Sequence, residues 1–255
     1  MSLPIWMRDA LSSEQKTYSG KAWRLVEAQH QVSTLKLVDS LAEQDLLESL
    51  LEQTKPAIPL ECRHLDFLLA TPFRYDPPYP HGSRFRAAGK TEGVFYAAEN
   101  VTTALAEMAF YRLLFFAESP STPLPQDAAE LTAFSCAIAS DNMIDLTRQP
   151  FAAHDALWSD FSDYREPQRL AAMAREVDAD LLRYRSIRDP EGGYNLAVLM
   201  CRAFAEPRPL ERQTWRMRVS ATGVQALCEF PRARIEFSRV IFSADPRIAA
   251  MRLER

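Results

Sequence analysis

Residues 81–116 read HGSRFRAAGKTEGVFYAAENVTTALAEMAFYRLLFF, and the hydrophobic period changes within them from that of a strand to that of a helix. In GVFYAA, Val94, Tyr96 and Ala98 fall on one side and Phe95 and Ala97 on the other, the alternation of a β-strand. From Val101 to Ala117, seventeen positions carry only two charges, Glu107 and Arg112, which marks a mostly buried helix. Helical spacing puts Glu107 on a face with Thr103, Ala104, Phe110, Tyr111 and Leu114, and turns Arg112 away toward solvent. The expected class for the whole chain is α+β.

A carboxylate on an apolar helix face requires a physical reason. Burying it unpaired costs several kcal/mol, so Glu107 is paired with an arginine, protonated, or open to a ligand cleft. Upstream, SRFRAAGK places Arg84 and Arg86 in one loop, and the planar fork of arginine matches phosphate oxygens bidentately. Each element has an ordinary structural reading: an ion pair for Glu107, plain packing for Tyr96, solvated arginines in a loop. Taken together, a cation, an aromatic ring and an acid suit a ligand that carries both phosphate and an aromatic ring.

The ordered set Gly82, Ser83, Arg84, Phe85, Gly89, Val94, Phe95, Tyr96 and then Ala104, Leu105, Ala106, Glu107 resembles the core signature of the RES-domain family, the toxins of bacterial RES/Xre toxin-antitoxin pairs. The family is named for an arginine, a glutamate and a serine. The matching positions here are Arg84, Glu107 and Ser186, the last in YRSIRDPEGGYNLAVL, and Tyr96 matches the family's active-site tyrosine. The resemblance covers residues 60 to 240. It departs at Phe85 and Arg86, where members commonly show a tryptophan followed by Asn or His, and in the sixty residues that precede the domain.

The resemblance implies a mixed or split β-sheet of ADP-ribosyltransferase type flanked by helices, and degradation of NAD as a consumed substrate, with no cofactor. Cleavage at the nicotinamide-ribose bond, as a glycohydrolase or phosphorylase, builds positive charge on the ribose, which a carboxylate such as Glu107 offsets. Arg84 would then pair with the pyrophosphate, Tyr96 would stack beside the nicotinamide, and Ser186 would hydrogen-bond near the nicotinamide ribose or amide. No Gly-x-Ser-x-Gly elbow or histidine base surrounds Ser186, so it is not read as a nucleophile. The family also implies an Xre-type helix-turn-helix antitoxin as partner. Two alternatives stand beside this one: mono-ADP-ribosylation of a protein target, and a catalytically silent nucleotide-binding protein.

Flanking segments add candidates for the same ligand. TPFRYDPPYP presents Arg74 and Tyr75 in a Pro-rich loop that runs into the signature, either as a second cation over the phosphates or as an exposed turn. Asn195 follows Gly192 and Gly193, which permit close backbone approach to a ligand; it borders the cleft or caps a turn.

Residues 1–60 read as a helical N-terminal extension and residues 61–255 as the RES domain. Ser12 with Gln15 and Ser40 with Glu43 have the spacing of capping boxes. Leu46, Leu47, Leu50 and Leu51 form an apolar face, expected on the chain's own core, with self-association into a homo-oligomer or antitoxin docking as the rivals. Pro56 and Pro59 end that helix. Farther on, TAFSCAIA reads as a strand, EPQRLAAMAREVDADLL as a helix with Leu170, Met173, Ala174, Val177 and Leu181 on one face, and YNLAVLMCRAF as a central strand. TWRMRVSATGVQALCEF reads as a hairpin about Thr222 and Gly223, and RIEFSRVIF as one more strand.

Composition narrows the class. The 255 residues, 47% of them hydrophobic, suffice for a substantial core, and a net charge of −4 gives no overall attraction to nucleic acid, so no direct binding to it is expected. No apolar run reaches the roughly 18 residues of a membrane span, and MSLPIWMRDA lacks the layout of a signal peptide, so the expected location is the cytoplasm. Cys62, Cys136, Cys201 and Cys228 are scattered without a C-x-x-C pair, which predicts free buried thiols and neither a zinc site nor a disulfide framework. No Gly-x-Gly-x-x-Gly fingerprint or Walker loop is present.

Overall fold

The computed structural model describes residues 7–27, 37–74, 82–89 and 91–251. Its centre is a mixed eight-stranded sheet in the order β1-β2-β5-β4-β3-β6-β7-β8, with a further pairing of β1 to β3. The strands are β1 (Lys16–Glu27), β2 (Phe95–Ala98), β3 (Ala129–Asp145), β4 (Leu181–Arg185), β5 (Tyr194–Val198), β6 (Glu211–Val219), β7 (Gly223–Cys228) and β8 (Ala233–Ser238). The helices are α1 (Met7–Ser13), α2 (Leu41–Thr54), α3 (Phe67–Ala70), α4 (Val101–Glu118), α5 (Arg165–Glu176) and α6 (Pro246–Ala249). None is long and apolar enough to cross a membrane. The α+β class with a split, mixed sheet and helices on its faces is as expected.

Strand β3 explains the split. Leu131 to Ser135 pair with β1 on one side and β6 on the other, while Met143 to Asp145 run parallel to β4. All the other pairings are antiparallel. Strand β1 meets β2 at one position only, Trp23 opposite Ala98, so the two lobes diverge there. Helix α4 covers this junction, burying Leu105, Ala109, Phe110 and Leu113 in a core shared with Trp23, Leu131, Trp215 and Val224. A second core lies about Phe95, Phe134, Leu69 and Phe204, and a third joins α1 and α5 to β4 through Leu11, Leu170, Ala174 and Leu182.

The N-terminal segment differs from its helical reading. Among its described residues the α-helices are α1 and α2, and Lys16–Glu27 is a strand. Thr17, Tyr18, Trp23 and Val26 favour a pleated surface, Gly20 weakens a helix, and eleven paired positions along β3 make the strand the better-bonded state. Ser12 therefore caps nothing: it lies inside α1, and Gln15 donates its Nε2 to Val177 O at 2.7 Å. The second capping signal does form, with Ser40 Oγ accepting from Glu43 N.

Other expectations are corrected locally. Helix α5 ends at Glu176, because Asp178 takes a left-handed φ of 56°, so Val177 caps the helix and Leu181 begins β4. Strand β5 stops at Val198, and Cys201–Ala203 form a 3-10 turn. The leucine face of α2 does not pack on the core: Leu46 is 60% and Leu50 50% exposed, and the side chain buried on α2 is Gln44. Cys62 and Cys201 are joined in a disulfide, Cα–Cα 5.5 Å, against the expectation of free thiols, whereas Cys136 and Cys228 are free and buried. Two 3-10 turns, Leu60–Cys62 and Cys201–Ala203, carry the bonded pair together across 139 residues, a proximity that spacing along the chain does not reveal.

Candidate active site

Where β1 leaves β2, a cleft of roughly 680 Å³ opens, floored by Tyr96 and Ala98, walled by α4, and closed by Arg84, Tyr164 and Arg188. The tight turn from Ser83 to Arg86, closed by mutual backbone hydrogen bonds of 2.7 and 3.2 Å, supplies Arg84. Gly82 enters it at φ 65°, where a Cβ would press on Arg86 O and Gln168 Nε2. Gln168 of α5 staples the turn by donating to Ser83 O and Arg86 O. Tyr96 secures it from the sheet side, its hydroxyl lying 2.9 Å from Ser83 Oγ and accepting from Phe85 N at 2.9 Å. The Tyr96 ring lines the cleft while its hydroxyl is engaged in shaping the arginine turn.

Arg84 is 5% exposed. Its Nη1 donates to Trp158 O, and its guanidinium lies 4.9 Å from the centre of the Tyr164 ring. Nη2 is buried without a hydrogen-bond partner among the described residues. A buried cationic donor left in this state is costly, and an anion in the cleft would satisfy it.

Glu107, on α4, lines the same cleft as Arg84. Its Oε1 accepts from Ser186 Oγ at 2.7 Å and from Asn195 Nδ2 at 2.7 Å, and its Oε2 accepts from Arg188 Nη1 at 2.8 Å. Burial works to raise the Glu107 carboxyl, but the Arg188 charge and the donors Ser186, Arg188 and Asn195 outweigh it and hold the group below the usual carboxylate range. A carboxylate has about four acceptor positions, so three bonds leave one, on Oε2. The side chain is 20% exposed. Both readings of Glu107 thus hold at once: it is ion-paired, and it borders a cleft.

Ser186 is 3% exposed and is not among the residues lining the cleft, and its hydroxyl is held against the Glu107 carboxylate. It also accepts from Arg188 N and Asp189 N, which folds the loop after β4 into place. Asn195 both borders the cleft and binds Glu107. The close approach permitted by Gly193 is to Thr103 Oγ1 and Asp189 Oδ2, which a Cβ would strike, and not to the cleft. Arg74 points elsewhere: it binds Glu52 at 2.5 Å and Pro56 O at 2.9 Å and does not line the cleft. Tyr75 lies outside the described residues.

Sequence reasoning missed Arg188 and most of the aromatic lining. Tyr111, Tyr164, Tyr184 and Trp23 surround the cleft with rings, and Phe85 packs edge-on against Tyr184 at 4.9 Å. The signal for Arg188 was available, since a lone carboxylate on an apolar helix demands a cation and an arginine stands two residues past Ser186.

A sequence model described as the RES domain matches residues 58–220, which include Arg84, Tyr96, Glu107, Ser186, Arg188 and Asn195. No curated protein matches the chain. Among solved structures, the M. tuberculosis MbcT-MbcA toxin-antitoxin complex aligns with 95% of this chain and 98% of its own at 12% identity, with a TM-score of 0.41.

Proposed function

The chain belongs to the RES domain family, and on that premise we propose that it is an NAD-degrading toxin, cleaving the nicotinamide-ribose bond and neutralised by a cognate Xre-type antitoxin. The observation that carries this proposal is the pairing across one cleft of an ionised carboxylate with a spare acceptor position, on Glu107, and a buried arginine with a spare donor, on Arg84. The cleft volume lies within the roughly 300–1,000 Å³ common for cofactor-sized ligands.

In this mechanism Arg84 Nη2 donates to the pyrophosphate, and the tyrosine rings enclose the nicotinamide, whose pyridinium charge favours an aromatic surround. As the bond to ribose lengthens, nicotinamide departs as a neutral molecule and the ribose becomes oxocarbenium-like. The free acceptor position of Glu107 takes a hydrogen bond from a ribose hydroxyl, and its charge offsets the cation in a partly dry site. Ser186 and Asn195 act by holding the carboxylate still. Water is the first acceptor for the ribose, with inorganic phosphate as the second.

Incubating the purified protein with NAD, with and without phosphate, and weighing the products by mass spectrometry tests this. Free nicotinamide with ADP-ribose, or with its phosphorylated form, is the expected result. Label retained on a protein band would instead indicate transfer of ADP-ribose to a protein, and unchanged NAD would leave only a nucleotide-binding role.

A further inference from the structure

Arg188 is the nearest charged partner of Glu107, and its environment is unusual for an arginine. The side chain is 5% exposed. Its guanidinium carbon lies 4.1 Å from the centre of the Phe110 ring and 4.7 Å from that of Tyr111, while Nη2 donates to Tyr164 Oη at 3.0 Å. Aromatic faces, a phenol and a carboxylate therefore fix the guanidinium plane: Nη1 donates to Oε2 of Glu107, and Nε is buried without a hydrogen-bond partner among the described residues. Ser186 and Asn195 occupy the other oxygen. The rotation of the carboxylate, and hence the direction of the one unused acceptor position, follows from this division of donors.

We infer that Arg188 is a positioning residue for Glu107: it fixes the carboxylate rotamer within an aromatic enclosure and aims the free lone pair of Oε2 into the cleft. The inference deepens the NAD-cleaving reading and rests on it for its kinetic consequences, though not for its electrostatic one.

The other groups about the pair support this assignment. Tyr111 on α4, Tyr164 before α5 and Tyr184 on β4 are phenols; burial pushes Tyr111 up to about 12 and Tyr184 well above its ordinary value, so both are neutral at physiological pH. Tyr96 on β2 is a further phenol in reach of Tyr184. Arg84 faces the same enclosure but spends Nη1 on Trp158 O, and Asp245, ahead of α6, feels the Arg188 charge while paired with Arg247. Among the described residues, Arg188 is thus the cation hydrogen-bonded to Glu107.

The test compares Arg188→Met, which keeps an unbranched apolar stem and removes the charge, with Arg188→Lys. Two readouts are taken: the pH profile of NAD cleavage, and the titration of the Glu107 carboxyl by NMR of protein labelled at glutamate carboxyl carbons. Losing the charge should move the Glu107 carboxyl, and with it the acid limb of kcat, up by about 1–3 pH units. At neutral pH, misaiming the carboxylate should lower kcat by about 10²-fold with little change in KM. Arg188→Lys should restore most of the titration shift but less of kcat, because an ammonium lacks the planar fork. An unmoved carboxyl titration in Arg188→Met overturns the inference, as does a raised KM with kcat kept, which would make Arg188 a ligand-binding arginine. If the native protein leaves NAD intact, the proposed function fails, and the NMR titration still decides the role of Arg188.

Discussion

Glu107 illustrates how one side chain can be both a structural partner and a chemical group. With the carboxyl held below its ordinary value of 4.5, its contribution to stability is fully present above that value and is lost as pH falls through the depressed one. Glu107→Gln should abolish NAD loss. It should also destabilise the fold by up to about 3–5 kcal/mol, since Arg188 is left without its counter-charge. Urea denaturation across pH should show that stability difference level from neutral pH down to about 5 and shrinking at lower pH. Arg84→Ala should weaken NAD binding by calorimetry more than it lowers the denaturation midpoint; unchanged affinity would remove the phosphate role. Several of these residues were legible beforehand, because Glu107 and Tyr96 sit on regular elements whose periods reveal their faces. Arg74 was not, since a loop has no period, and Glu52, twenty-two residues earlier, claims it.

At the level of elements, α2 and β1 show two ways in which a pattern misleads. The leucine stripe of α2 was visible, but periodicity reports a stripe and says nothing of what covers it. Replacing Leu46 and Leu50 together by Gln should therefore change stability by no more than about 0.5 kcal/mol in urea titrations. A loss of several times that would show the face to be packed. Strand β1 was hidden by a capping signal at Ser12 and Gln15, and local chemistry there yields to an eleven-position ladder that is invisible without β3. Where both partners were close in sequence, as in the β6–β7 hairpin about Gly223, the pattern and the structure agree. Short range favours inference because the turn and the strands it joins are read in one window.

On the scale of the whole molecule, distant segments are tied by the disulfide between Cys62 and Cys201 and by the long strand β3. Closing a loop of 139 residues restricts the unfolded chain, an effect on the order of 2–5 kcal/mol. Cys62→Ser and reduction of the native protein by dithiothreitol should lower the denaturation midpoint by similar amounts, and dithiothreitol should do nothing more to the variant. The β1–β3 ladder has a consequence in time as well as in space. Its closest pair, Glu27 with Leu131, is made from segments synthesised about a hundred residues apart, roughly 5–20 s on a ribosome adding about 5–20 residues per second. During that interval the hydrogen-bonding edge of β1 waits for the long strand that will pair with it, and Trp23 and Leu25 stay uncovered until α4 is made, so the nascent chain passes through a sticky stage.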